Sequence, residues 1–129
     1  MRPYLRVLTA LPLLVPFAAR PASAAGCVAT TAPPASQHSF GATASGDYTC
    51  DGTRPSLSLR ICLEGLDTAG WTPIQCDTVN ASNVAQVHAE AYGCRYGVTL
   101  IRATAVGTAS TGEHSEAASV PVPYYCTPL

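Results

Sequence analysis

Six cysteines, three histidines and eight carboxylates are the residues of this 129-residue chain with the chemistry to bridge, coordinate or catalyse. Cys27, Cys50, Cys62, Cys76, Cys94 and Cys126 show none of the closely paired spacings of a zinc site. They also lack the Cys-x-x-Cys spacing of a redox centre. An even number of cysteines behind an export signal reads as a disulfide framework in an oxidising compartment. His38, His88 and His114 share no ligand spacing, and His88 reads as a solvent-facing strand residue. Nucleophilic catalysis needs a Ser or Cys, a base and an orienting carboxylate brought together, and no Gly-x-Ser-x-Gly elbow occurs. Glu113 and Glu116 are the carboxylate pair closest to a glycosidase arrangement, but their loop composition reads as solvated surface. The expectation is therefore a non-enzymatic protein with no metal and no cofactor.

Aromatic residues are the better candidates for contact with a partner. Trp71, Tyr92, Tyr124 and Tyr125 fall near strand ends. Trp71, the single Trp, is expected in the core. Tyr125 and Tyr92 are the candidate binding surface, Tyr125 because it alternates away from Val122 and Tyr124.

These residues must be positioned by strands. In residues 56–64, Leu57, Leu59, Ile61 and Leu63 alternate with Ser58, Arg60, Cys62 and Glu64, the period of a strand with one buried face. A turn over 65–70 leads into a returning strand over 71–79, where Ile74 and Cys76 share a face against Trp71 and Gln75, so that a bulge or a two-sided strand is needed. Asn80 to Asn83 is a polar break, and Asn80-Ala81-Ser82 matches a glycosylation sequon. Residues 84–92 fit both a strand and an Ala-rich helix; the short spacing of neighbouring strands favours the strand. Residues 96–106 read as a further strand and 107–115 as a loop. In 118–126, Val120, Val122 and Tyr124 share a face, and Pro121 and Pro123 confine this segment to an edge. Residues 27–36 are an extended lead-in, since Pro33 and Pro34 exclude helix. No internal repeat is evident.

The chain opens on Arg2 and Arg6, an apolar stretch over 8–19, and Ala22-Ser23-Ala24, the layout of a signal peptide over residues 1–24. Pro12, Pro16 and Arg20 leave that stretch too short to span a bilayer. A lipoprotein box before Cys27 is the alternative, and it would strand five thiols. Residues 25–129 then form one secreted domain of about 105 residues. All seven basic residues are arginine; losing three with the signal leaves about −4, a poor footprint for nucleic acid. The mature protein is expected to be a monomer, extracellular, with no membrane association.

Ser58-Leu59-Arg60-Ile61-Cys62-Leu63, then Trp71 and Cys76, then Cys94-Arg95-Tyr96-Gly97-Val98 running into Ile101-Arg102-Ala103-Thr104-Ala105, carry a resemblance over residues 56–126. In its element order the chain resembles immunoglobulin-like and fibronectin type III-like β-sandwiches, and more narrowly small secreted disulfide-containing proteins of high-GC Gram-positive bacteria. The resemblance implies an all-β antiparallel sandwich of about six to seven strands, with Tyr96 as its corner tyrosine. It implies no activity. The Cys…Trp…Cys order of antibody domains is absent, because Trp71 lies between Cys62 and Cys76.

Six cysteines allow many pairings. Cys62 and Cys76 on consecutive strands are expected to bridge across the hairpin. Cys27 and Cys126 flank the domain and are expected to bridge along neighbouring edges, leaving Cys50 for Cys94. The functional expectation is extracellular binding of a protein or small molecule. A proteinase inhibitor presenting residues 77–83 or 107–115 as a rigid loop is the first alternative, and a small secreted hydrolase the second.

Overall fold

The computed structural model describes residues 26–36 and 41–126; the signal peptide expected over 1–24 and His38 lie outside them. The chain is all-β, with β1 (Cys27–Thr31), β2 (Ala35–Ser36), β3 (Ala42–Asp67), β4 (Gly70–Gly93), β5 (Leu100–Ala109), β6 (His114–Ala118) and β7 (Val122–Pro123). All seven join one antiparallel sheet in the order β1-β3-β5-β6, with β2 and β4 on β3 and β7 on β5. The expectation was two separate sheets; the structure has one continuous sheet that doubles over.

Doubling over is built into the β3–β4 hairpin. The ladder runs from Ala42↔Gly93 to Asp67↔Gly70 and breaks between Thr49 and Arg54, where residues 50–53 leave the ladder. Just beyond that break, between the Arg54↔Val84 and Ser56↔Ser82 pairs, Asn83 adopts φ 56°, the only positive φ outside glycine among the described residues. An unequal residue count on two paired strands bends them. The polar break expected at 80–83 is thus a bend inside a continuous strand, not a loop. Residues 77–83 therefore offer no protruding loop of the kind an inhibitor needs. Residues 107–115 likewise divide between β5, a tight turn and β6.

The core lies between the two halves of the doubled sheet. Leu57, Leu59, Ile61 and Leu63 are fully buried on one half, as their alternation predicts, and face Ala42, Ala44, Ala89 and Ala91 on the other. Burying each aliphatic side chain contributes about 1.5–3 kcal/mol. Small residues on one half let the large ones on the other approach. A methyl group on Gly46 would lie 2.7 Å from Ile61 Cδ1 and 2.6 Å from the Thr30 carbonyl. One on Gly107 would run into the ring of Tyr48. On the seam away from β4, the Ala29 N–H donates to Ser115 Oγ at 3.0 Å, tying β1 to β6.

Of the two arrangements expected for 71–79, the structure has the bulge: the register shifts between Leu63 and Glu64, leaving Ile74 extra. Residues 84–92 are strand, the second half of β4. The strand expected from Tyr96 begins only at Leu100, and of the edge strand expected over 118–126 only Val122–Pro123 (β7) and Ala118, the last residue of β6, are strand. Val120 is exposed there while Tyr124 is buried, so they do not share a face.

Two of the three expected disulfide pairings are corrected. Cys62–Cys76 bridges as expected, but Cys27 pairs with Cys50 and Cys94 with Cys126. Register is the reason: β1 lies antiparallel on β3 with Cys27 directly opposite Cys50. Cys27 therefore cannot reach Cys126, which follows β7 at the other end of the sheet. Its sulfur being in a disulfide, Cys27 also has none left for a lipid thioether. No free cysteine remains among the described residues.

Candidate functional site

The open end of the doubled sheet, opposite the bend, is closed by residues 94–99 and the Cys94–Cys126 bridge. Tyr124, a buried residue, organises it: its hydroxyl donates to the Gly93 carbonyl at 3.2 Å and accepts from the Arg95 N–H at 3.1 Å. Burial pushes the Tyr124 phenol up, the Arg95 N–H draws it back, and nearby Tyr92 pushes it up again. Arg95 reaches across to donate to the Pro73 carbonyl at 3.0 Å and to Thr72 Oγ1 at 3.3 Å. Val98, buried, would meet any side chain added at Gly65. Tyr96, expected as a corner tyrosine, points to solvent, and the buried tyrosine of this closure is Tyr124.

Three exposed tyrosines surround this closure. Tyr92 is 49% exposed, Tyr96 58% and Tyr125 65%. Each lies within two residues of a half-cystine of the same bridge, whose Cα atoms are 5.5 Å apart. The two tyrosines named from sequence, Tyr92 and Tyr125, are therefore at one end of the molecule, and Tyr96 joins them. A phenol ring offers large apolar area with a polar tip at low entropic cost, the property that enriches Tyr at contact surfaces.

A second feature lies on the outer face of β5 and β6. Arg102, Thr104, Val106, Glu116 and Ala118 line an open groove of about 340 Å³ floored by Ala105 and Ala117. Alternation puts these side chains opposite the core. Arg102 Nε donates to Glu64 Oε1 at 2.8 Å, and its guanidinium carbon lies 4.5 Å from the Trp71 ring centroid. Trp71, expected in the core, is instead only half-buried. The Ile74 bulge reverses the face on which the start of β4 presents its side chains. The signal that sequence reasoning passed over was the polar row Arg60, Cys62, Glu64, which faces the same way.

The remaining titratable residues form surface pairs. His88 Nδ1 is 3.0 Å from Asp47 Oδ1 and its Nε2 is 3.1 Å from Glu90 Oε2. Both carboxylates raise its pKa, Glu90 the more. The two ring nitrogens point to different carboxylates, so no single position is shared by all three groups. His114 Nε2 is 2.8 Å from Glu116 Oε2. Glu113 is instead held by Arg54 and the Thr111 hydroxyl, and Arg54 also pairs with Asp51. The Thr111 hydroxyl, the backbone N–H of Glu113 itself and Arg54 hold the Glu113 carboxyl below its usual range. Glu113 and Glu116 therefore serve separate partners and do not flank a common point. Among the described residues no hydrogen bond joins a histidine to a serine, and no three His, Cys, Asp or Glu side chains could hold a metal. No described helix is long and apolar enough to cross a membrane.

No protein-family model matches this chain, and no curated protein matches it.

Proposed function

We propose that the protein is a secreted, non-enzymatic binding module that meets an extracellular protein or small molecule through its tyrosine-rimmed end. The observation that carries this reading is the exposure of Tyr92, Tyr96 and Tyr125 around one bridge. Their backbone is fixed by Tyr124 and Arg95. Preorganised aromatic contacts lose little entropy on binding. Three intramolecular disulfides fit an oxidising, extracellular setting, in line with a signal peptide over residues 1–24. The doubled sheet, its core between two layers, is read as a one-sheet relative of the immunoglobulin-like and fibronectin type III-like sandwiches. The module acts as a monomer, without nucleic acid or membrane.

The test compares residues 25–129 with the triple variant Tyr92→Ala/Tyr96→Ala/Tyr125→Ala on an array of extracellular proteins and cell-wall polymers. Selective retention of the parent, weakened at least about tenfold (about 1.4 kcal/mol) in a triple variant of unchanged circular dichroism, is the expected result. Equal retention of both proteins, or none of the parent, would contradict it.

A further inference from the structure

We propose that the groove over β5 and β6 is a separate site, independent of the tyrosine end, and that it takes a small organic carboxylate with an apolar body. The Arg102 guanidinium is already oriented, with Nε committed to Glu64 and one face laid on Trp71. Its two Nη groups donate to no described residue. A held guanidinium with a free Nη edge is the geometry that grips a carboxylate through parallel hydrogen bonds.

Charge on this face points the same way. Glu64 is paired with Arg102, and Glu116 Oε2 is 2.8 Å from His114 Nε2, a contact that is an ion pair only when that ring is protonated. Arg60, directly opposite Val106 on the neighbouring strand, is exposed and makes no hydrogen bond or ion pair with any described residue. Every other described arginine has a partner: Arg54 with Asp51 and Glu113, Arg95 with Thr72 and the Pro73 carbonyl, Arg102 with Glu64. Arg60 is therefore a second guanidinium on the face that Arg102 occupies, without a partner among the described residues. Between Arg102 and Glu116 the lining is Thr104, Val106 and Ala118, apolar except for one hydroxyl. A volume near 340 Å³ falls at the small end of ligand sites.

Trp71 is the only Trp in the chain and lies against Arg102, so its emission reports on the site. The mature protein is titrated with hexanoate and, in parallel, with neutral hexanamide at fixed ionic strength. The expected result is a saturable change in Trp71 emission with hexanoate, at least tenfold weaker with hexanamide and in Arg102→Gln. Arg60→Gln weakens it at least twofold, and Tyr125→Ala leaves it unchanged, which separates this site from the tyrosine end. Because Arg102→Gln itself alters the surroundings of Trp71, amide shifts on the parent protein supply a second readout. Hexanoate is expected to move Thr104, Val106 and Ala118. No saturable response, equal responses to acid and amide, or shifts confined to other residues would overturn the proposal.

Discussion

His88 stands between two carboxylates, and that position makes a testable demand on its titration. Glu90 and Asp47 favour the protonated ring in the folded state and raise its pKa above the unperturbed value of about 6.5. The resulting stabilisation is fully present below the unfolded pKa and is lost as pH rises through the folded one. Unfolding of the parent should therefore show a fall in stability as pH rises from about 6 to 8 that is smaller in His88→Gln. An NMR titration should place the parent His88 above the unperturbed imidazole; a lower value would refute the arrangement. Tyr48 makes a second demand. It is fully buried, with no partner for its hydroxyl among the described residues, and burial pushes its phenol up, with Glu113 adding and Arg54 opposing. Tyr48→Phe gives up no hydrogen bond, so urea unfolding should show stability unchanged or raised by about 1 kcal/mol. Residue types told less than position here. Tyr92 and Tyr125 were legible as exposed, but Tyr96, read as a corner tyrosine, is exposed, and the buried tyrosine of this end is Tyr124. Which tyrosine turns inward depends on where β5 starts, and β-branched composition placed that start four residues early.

At the scale of strands, the alternation of Leu57 to Leu63 was legible because large aliphatic side chains mark the buried face. Residues 42–50 alternate as strictly, Ala42, Ala44, Gly46, Tyr48 and Cys50 inward, yet no strand was read there. Ala and Gly carry little hydrophobic signal, and their value appears only when the facing half supplies Ile61 and Leu63. The spacing of the halves rests on this pairing of small with large. Gly107→Ala would push a methyl group into the Tyr48 ring and should cost about 1–3 kcal/mol by overpacking, read from the urea midpoint at constant slope. A midpoint equal to the parent's would mean that the halves are not packed together there. The bend itself was half legible. Asn80 to Asn83 marked a break in apolar pattern, but a polar run does not distinguish a loop from a kink in an edge strand. β4 pairs only with β3 among the described residues, and Pro73, the positive φ of Asn83 and the polar side chains of His88 and Glu90 interrupt an edge that would otherwise invite pairing with another chain.

For the molecule as a whole, the disulfides pair neighbours along the chain: Cys27 with Cys50, Cys62 with Cys76, Cys94 with Cys126. Each staples a local unit: β1 to β3, the hairpin tip, and the closure of the open end. With separations of 23, 14 and 32 residues, each contributes at most about 3–4 kcal/mol by loop entropy. The pairing was not legible because it depends on β1 and the first half of β3 being strands in register. One of these was read only as an extended lead-in, and the other was not read at all. Removing one bridge should therefore have a local effect. Cys94→Ala/Cys126→Ala should raise hydrogen exchange at residues 94–99 far more than at 57–63, and uniform loss of protection would contradict this. The central claim is that a doubled hairpin, stapled unit by unit, fixes the tyrosine-rimmed end. Non-reducing peptide mapping of the folded protein tests it most directly. Three linked pairs, Cys27–Cys50, Cys62–Cys76 and Cys94–Cys126, are the predicted result. A Cys27–Cys126 or Cys50–Cys94 linkage, or a free thiol at Cys94, would contradict it.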